Sequence, residues 1–225
     1  MLATLGFLIT AILLIVFALT FDSLVKKDNK ELRAFGFGYA FVAVAFLMWG
    51  LLSLTRATDA TFAKSVLVGD TFLFLASICV ASVLVSKQWK TAFYISGTAI
   101  TALLLIVRAK QYYPVPSLQD GILFFNTQRP VAILLSAIVV FAWLPACMKV
   151  ARLLTAKSGL LQYYSLYVAA YAITIISAAL FIQARRRTII IQSFVAFGVS
   201  TLLLLVSNLL VKNSKKVKAE HNAAR

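Results

Sequence analysis

The segment LATLGFLITAILLIVFALTF, Leu2–Phe21, has no charged residue and no proline, and its only polar members are Thr4, Thr10 and Thr20. A hydrocarbon core about 30 Å thick takes roughly 20 helical residues to cross, at about 1.5 Å of rise each. The segment has that length, and its apolar residues cover every face of a helix instead of one stripe, the pattern of a helix solvated by lipid or wholly buried. Six more stretches share its character: Ala34 to Leu54, Ser65 to Ser86, Thr91 to Val107, Pro130 to Met148, Leu161 to Gln183 and Thr188 to Val211. Asp70 is the one acid inside any of them. The sequence therefore predicts an all-α polytopic membrane protein, a bundle of seven transmembrane helices over residues 1–211. A basic tail, residues 212–225, is expected to be disordered or to lie against anionic lipid, because nothing in it is apolar enough to fold.

Composition points the same way. The chain is 62% hydrophobic and 13% charged, with a mean hydropathy of +0.93, which excludes a large soluble domain. Met1 to Phe21 carries no Lys or Arg ahead of its apolar run, so it reads as a retained first helix and not as a cleaved signal peptide. The net charge of +15 does not indicate nucleic acid, because the basic residues sit at helix ends and not in a stripe with interleaved aromatics. With seven crossings, eight of the 22 basic residues fall on the side of the N-terminus and fourteen on the side of the tail. The positive-inside rule then places the N-terminus outside and the C-terminus in the cytoplasm of a multi-pass cell-membrane protein. Arg185 to Arg187 stand on the minority side of that count.

The connection Arg108 to Arg129 differs from the other loops. Pro114 and Pro116 stop the fourth helix, Asp120-Gly121 is a turn signal between apolar runs, and Tyr112, Tyr113, Phe124 and Phe125 suit the headgroup level. The segment reads as an interfacial cap. Pro145 should kink the fifth helix by removing a backbone donor. Hydroxyls inside the spans are expected to bond to their own helix backbone, and Asn208 could join two helices. Tyr167 and Tyr171 lie deep enough that their hydroxyls want partners.

Several chemistries lack their residues. His221 in the tail is the only histidine, so haem held by paired histidines, a histidine metal site and a histidine proton relay within the bundle are excluded. The last span, Thr188 to Val211, has no lysine for a retinal Schiff base. Cys79 and Cys147 read as free thiols without the partners for a zinc site. No phosphate-binding loop or dinucleotide fingerprint occurs. The expectation is a protein that is not an enzyme and takes no cofactor.

Asp70 is the strongest single-residue candidate, since an acid facing lipid would cost a few kcal/mol and should turn to the bundle or to a wet cavity. It would either tie helices together or form part of a ligand site with Arg108, Arg129 and Gln192, which the topology puts in the same outer layer; Gln183 is a further neighbour of that layer. The layout of seven helices, an outside N-terminus, Trp49 late in helix 2 within LMWGLLSLTRATDA (Leu47 to Ala60), a tight helix 3 to helix 4 turn and an outer aromatic cap resembles the N-terminal seven-helix membrane sensor region of bacterial histidine kinases. That resemblance implies a sensor; since no kinase module follows Val211 in this sequence, it implies a free-standing sensor or an accessory subunit. The expected partners are the lipid bilayer and a membrane protein reached through the helices or the tail. The competing expectations are a transporter or channel component and a structural subunit of a membrane complex.

Overall fold

A computed structural model of the chain describes residues 2–25, 29–52, 59–110, 117–119, 122–124, 129–156 and 163–223. Seven helical spans are long and apolar enough to cross a membrane. They are α1 (Leu2–Leu24), α2 (Lys30–Leu52), α3 (Asp59–Ala81), α4 (Lys90–Lys110), a compound span of α5 (Arg129–Ile138) and α6 (Leu144–Ala156), α7 (Tyr164–Gln183) and α8 (Arg187–Ala223). Asn29 starts α2 by accepting the Leu32 amide on its Oδ1 at 3.1 Å, the ordinary N-cap bond. Ser82–Leu84 and Lys87–Trp89 form two short 3-10 turns that fold α4 back beside α3, as the brevity of that connection requires.

Three features depart from or refine the expectations. The compound span is not simply kinked: a π-helical turn, Val139–Trp143, joins α5 to α6 immediately before Pro145. Pro145 has no N–H to give to residue 141 and its ring crowds that carbonyl, so the wider turn relieves both problems at once. The basic segment after Val211, expected to be disordered, continues α8 as helix to Ala223. Extending an existing helix adds one bond per residue and avoids the cost of nucleation, and Tyr163 Oη lies 3.4 Å from Ser214 Oγ, which ties the extension back to the start of α7. Within the segment expected to form the cap, Ser117–Gln119 (β1) and Ile122–Phe124 (β2) pair antiparallel with Gln119 opposite Ile122. Tyr112, Tyr113, Pro114, Pro116, Asp120, Gly121 and Phe125 lie outside the described residues.

The core is built from rings in two tiers. At one end Phe7 of α1 meets Phe46 and Trp49 of α2, Phe181 of α7 and Phe194 of α8, with centroids 4.7 to 6.1 Å apart. At the other, on the side of the tail, Phe17 and Phe21 of α1 meet Phe35 and Tyr39 of α2, and Tyr39 reaches Trp143 and Tyr171. Early α1 against late α2 and late α7 makes those pairs antiparallel, whereas early α1 against early α8 makes α1 and α8 parallel neighbours. Gly38 lets α2 and α3 approach closely, since a Cβ there would lie 2.7 Å from Val80 Cγ2 and 3.1 Å from the Ala76 carbonyl oxygen.

Polar side chains link helices inside this apolar frame. Tyr167 donates to Asn208 Oδ1 at 2.7 Å, and Asn208 Nδ2 donates to Thr20 Oγ1 at 3.3 Å, so one amide joins α7, α8 and α1. Thr174 donates to Ser200 Oγ at 2.9 Å between α7 and α8. Most other hydroxyls, including Thr71, Ser77, Ser96 and Ser193, bond to carbonyls of their own helix as expected. Tyr167→Phe should destabilise the bundle by about 0.6 kcal/mol, the average found for interhelical side-chain bonds. A reversible SDS-unfolding titration checks it; an unchanged midpoint would show that the Tyr167–Asn208 bond carries no weight.

Candidate functional site

One span stands apart from the bundle. Only 6% of the α4 span is buried, against 33% to 50% for the other six, and its mean hydropathy, 1.3, is the lowest of the seven. Helix α4 packs on α3 and on the turns that precede it. Its approach to α3 is close at Gly97, where a Cβ would sit 3.2 Å from Ile78 Cγ1. Between α4 and the compound span a crevice remains, with a volume of about 310 Å³. Its α4 wall includes Phe93, Gly97 and Leu104, its opposite wall Leu135, Val139 and Ala142, and its floor belongs to α2, α3 and α7.

The π-helical turn shapes that opposite wall. Val139, Ala142 and Trp143 of the turn all line the crevice, and Trp143 is held by donating Nε1–H to Ser77 Oγ at 3.1 Å across the gap to α3. Ser77 in turn donates to the Leu73 carbonyl at 3.0 Å. The lining is apolar and aromatic apart from Asp70, Ser77, Thr101, Thr174, and the polar atoms of Tyr39, Trp49 and Trp143. Such a chamber suits a hydrocarbon body with few oriented polar contacts.

Asp70 is 8% exposed and lines this crevice. It therefore faces the interior of the bundle and not its outer surface. Its neighbour in sequence, Gly69, passes directly beneath Trp49, so that a Cβ at 69 would overlap the indole nitrogen. The other predicted site residues are placed differently. Arg129 is exposed at the start of α5, Gln192 is exposed on α8, and neither lines the crevice. The Arg108 side chain lies outside the described residues. Gln183 donates to Ser136 Oγ at 3.0 Å and so fastens α7 to α5. Of the predicted ligand-binding residues whose side chains are described, Asp70 alone borders the crevice.

At the tail end of the crevice stands an ionic knot. Glu31, at the start of α2, accepts from Lys90 of α4 at 3.1 Å and pairs with Lys149 of α6 at 3.5 Å. Lys149 also donates to the Val83 carbonyl. Three helices and the α3–α4 turn are gathered at one point. Sequence alone signalled none of this, because Glu31, Lys90 and Lys149 are far apart in the chain and each reads as a helix-end charge. Among the described residues no group of three or more His, Cys, Asp or Glu could hold a metal ion.

No family model, curated protein or solved structure matches this chain. The crevice and the knot are consequently read on their own chemistry.

Proposed function

We propose that the chain is a non-enzymatic sensory or accessory membrane protein that takes the hydrocarbon part of a lipidic ligand into the crevice between α4 and the α5–α6 span. The observation that carries this reading is the combination of an apolar chamber of about 310 Å³ with a bordering helix that is only 6% buried. A whole helix, about 10 Å across, is too wide for that volume; a single acyl chain is not. Movement of α4 has few packing contacts to break, and α4 is coupled at its foot to α2 and α6 through Glu31. Occupancy would therefore shift helix ends on the side where α8 runs on to Ala223, the surface offered to a partner. In this reading the protein sits in the cell membrane with its N-terminus outside, and Asp70 and the Ser77–Trp143 bond orient the ligand.

Trp49 and Trp143 line the crevice and are 2% and 8% exposed, whereas Trp89 is 63% exposed. A Trp89→Phe protein therefore reports on the crevice. Reconstituted with phosphatidylcholine brominated at mid-chain, it should show quenched tryptophan emission, and Ala142→Phe, which fills the wall beside Trp143, should remove most of that quenching. Emission indifferent to brominated chains would refute a lipid-filled crevice.

A further inference from the structure

We infer that the ionic knot and the crevice form one site for an anionic phospholipid drawn from the leaflet on the tail's side, its phosphate at Lys90 and Lys149 and one acyl chain in the crevice. The inference rests on the reading of the crevice as a chain site and adds the head group and the leaflet. Two ammonium groups share one carboxylate in the knot, which leaves a net positive charge. Neither is sealed off: the side chains of Lys90 and Lys149 are 21% and 40% exposed. Lys87 lies one helical turn before Lys90, and Arg152 lies three residues after Lys149; both are exposed. Among the described residues Glu31 is the acid paired with these lysines, so an anion arriving here meets more donors than competing acids.

Geometry joins this patch to the chamber. The crevice begins at Ala81 and Phe93. Phe93 is three residues past Lys90, and Lys149 donates to the carbonyl of Val83, two residues past Ala81. From there the lining runs back along α3 to Asp70, a rise of about 16 Å at 1.5 Å per residue. One leaflet of a core about 30 Å thick spans about 15 Å. A lipid whose phosphate sits at the knot therefore has one leaflet's depth of apolar wall ahead of its chain. The basic side chains stand at the knot's end of the crevice and the far end lies against buried Asp70, so an anionic head group is held at the knot. The occupant is a lipid and not a peptide, because the walls are apolar along their length and offer few donors or acceptors for a backbone.

The test uses the full-length Trp89→Phe protein in phosphatidylcholine bilayers doped with mid-chain-brominated phosphatidylglycerol or, separately, brominated phosphatidylcholine. Phosphatidylglycerol should quench at about fivefold lower mole fraction, the effect of one uncompensated basic residue near a membrane surface. The pair K90Q/K149Q should abolish that preference and leave quenching by phosphatidylcholine in place. Glu31→Gln breaks the same ion pairs but raises the local positive charge, so it should strengthen the preference. A purely structural knot would instead lose the preference in both variants. Equal quenching by the two lipids, a preference that survives K90Q/K149Q, or one that is abolished by glycerol phosphate added in solution would each overturn the inference. Equal quenching leaves the crevice reading standing, whereas no quenching by either lipid refutes the crevice reading itself.

Discussion

Phe7→Ala should cost the bundle about 3 to 5 kcal/mol, the range for removing a fully buried phenylalanine. Phe7 is 0% exposed and its ring lies edge-on to four others from three helices: Phe46 at 5.8 Å, Trp49 at 5.9 Å, Phe181 at 6.1 Å and Phe194 at 4.7 Å. Edge-to-face pairs of this kind contribute about 0.5 to 1.5 kcal/mol beyond burial. In a bilayer the driving force is packing and not escape from water, since lipid chains are as apolar as the side chains they replace. The void left by alanine is therefore what matters, and the helices around it are too well fixed by Phe46, Phe181 and Phe194 to collapse inward. An SDS-unfolding midpoint well below that of the native protein is the expected result. Phe7→Leu, which keeps most of the volume, should recover about half of the loss. If alanine and leucine behaved alike, the ring geometry at this tier would carry no special weight.

The seven helices were legible because apolarity sustained on every face over a full span length suits lipid and little else. Their ends were less so. Helix α3 begins at Asp59 and not near Ser65, and α8 outlasts Val211, because helix propagation continues past the point where lipid stops demanding apolar residues. Asp70 was legible as the lone acid in a span, and it lies on a cavity wall. Arg129 and Gln192 share its outer layer in the topology, but depth does not fix which face of a helix a residue occupies. The crevice itself was invisible in the sequence. Phe93, Gly97 and Leu135 sit in spans where core and lipid favour the same residue types, so no period distinguishes an inward face from an outward one. The one trace of it was chemical: α4 carries Thr91, Ser96, Thr98 and Thr101 and has the lowest hydropathy of the set.

Gly69→Ala should change sign with its neighbour. Alanine is the better helix former by about 1 kcal/mol, and at an unencumbered site in α3 the substitution would stabilise. At 69 the new Cβ would overlap the Trp49 indole, which can give way only by pressing on Phe7, Phe46 and Phe181, whose centroids lie at 5.9, 5.5 and 6.5 Å. Overpacking of that sort costs about 1 to 3 kcal/mol, so steric crowding outweighs a propensity gain of about 1 kcal/mol and the native protein should lose about 1 kcal/mol net. In a Trp49→Ala background, itself lowered by about 3 to 5 kcal/mol, the obstacle is gone and Gly69→Ala should stabilise by up to about 1 kcal/mol. The four midpoints of this cycle give the coupling directly. Its functional consequence follows from position, because Trp49 and Asp70 border the same crevice. A shifted indole in Gly69→Ala should be reached more readily by a chain in the crevice, so that brominated phosphatidylcholine quenches the Trp89→Phe/Gly69→Ala protein more strongly than Trp89→Phe alone. Stabilisation by Gly69→Ala in both backgrounds would show that Trp49 does not press on the α3 backbone, and the wall beside Asp70 would then owe its shape to something other than the missing side chain at 69.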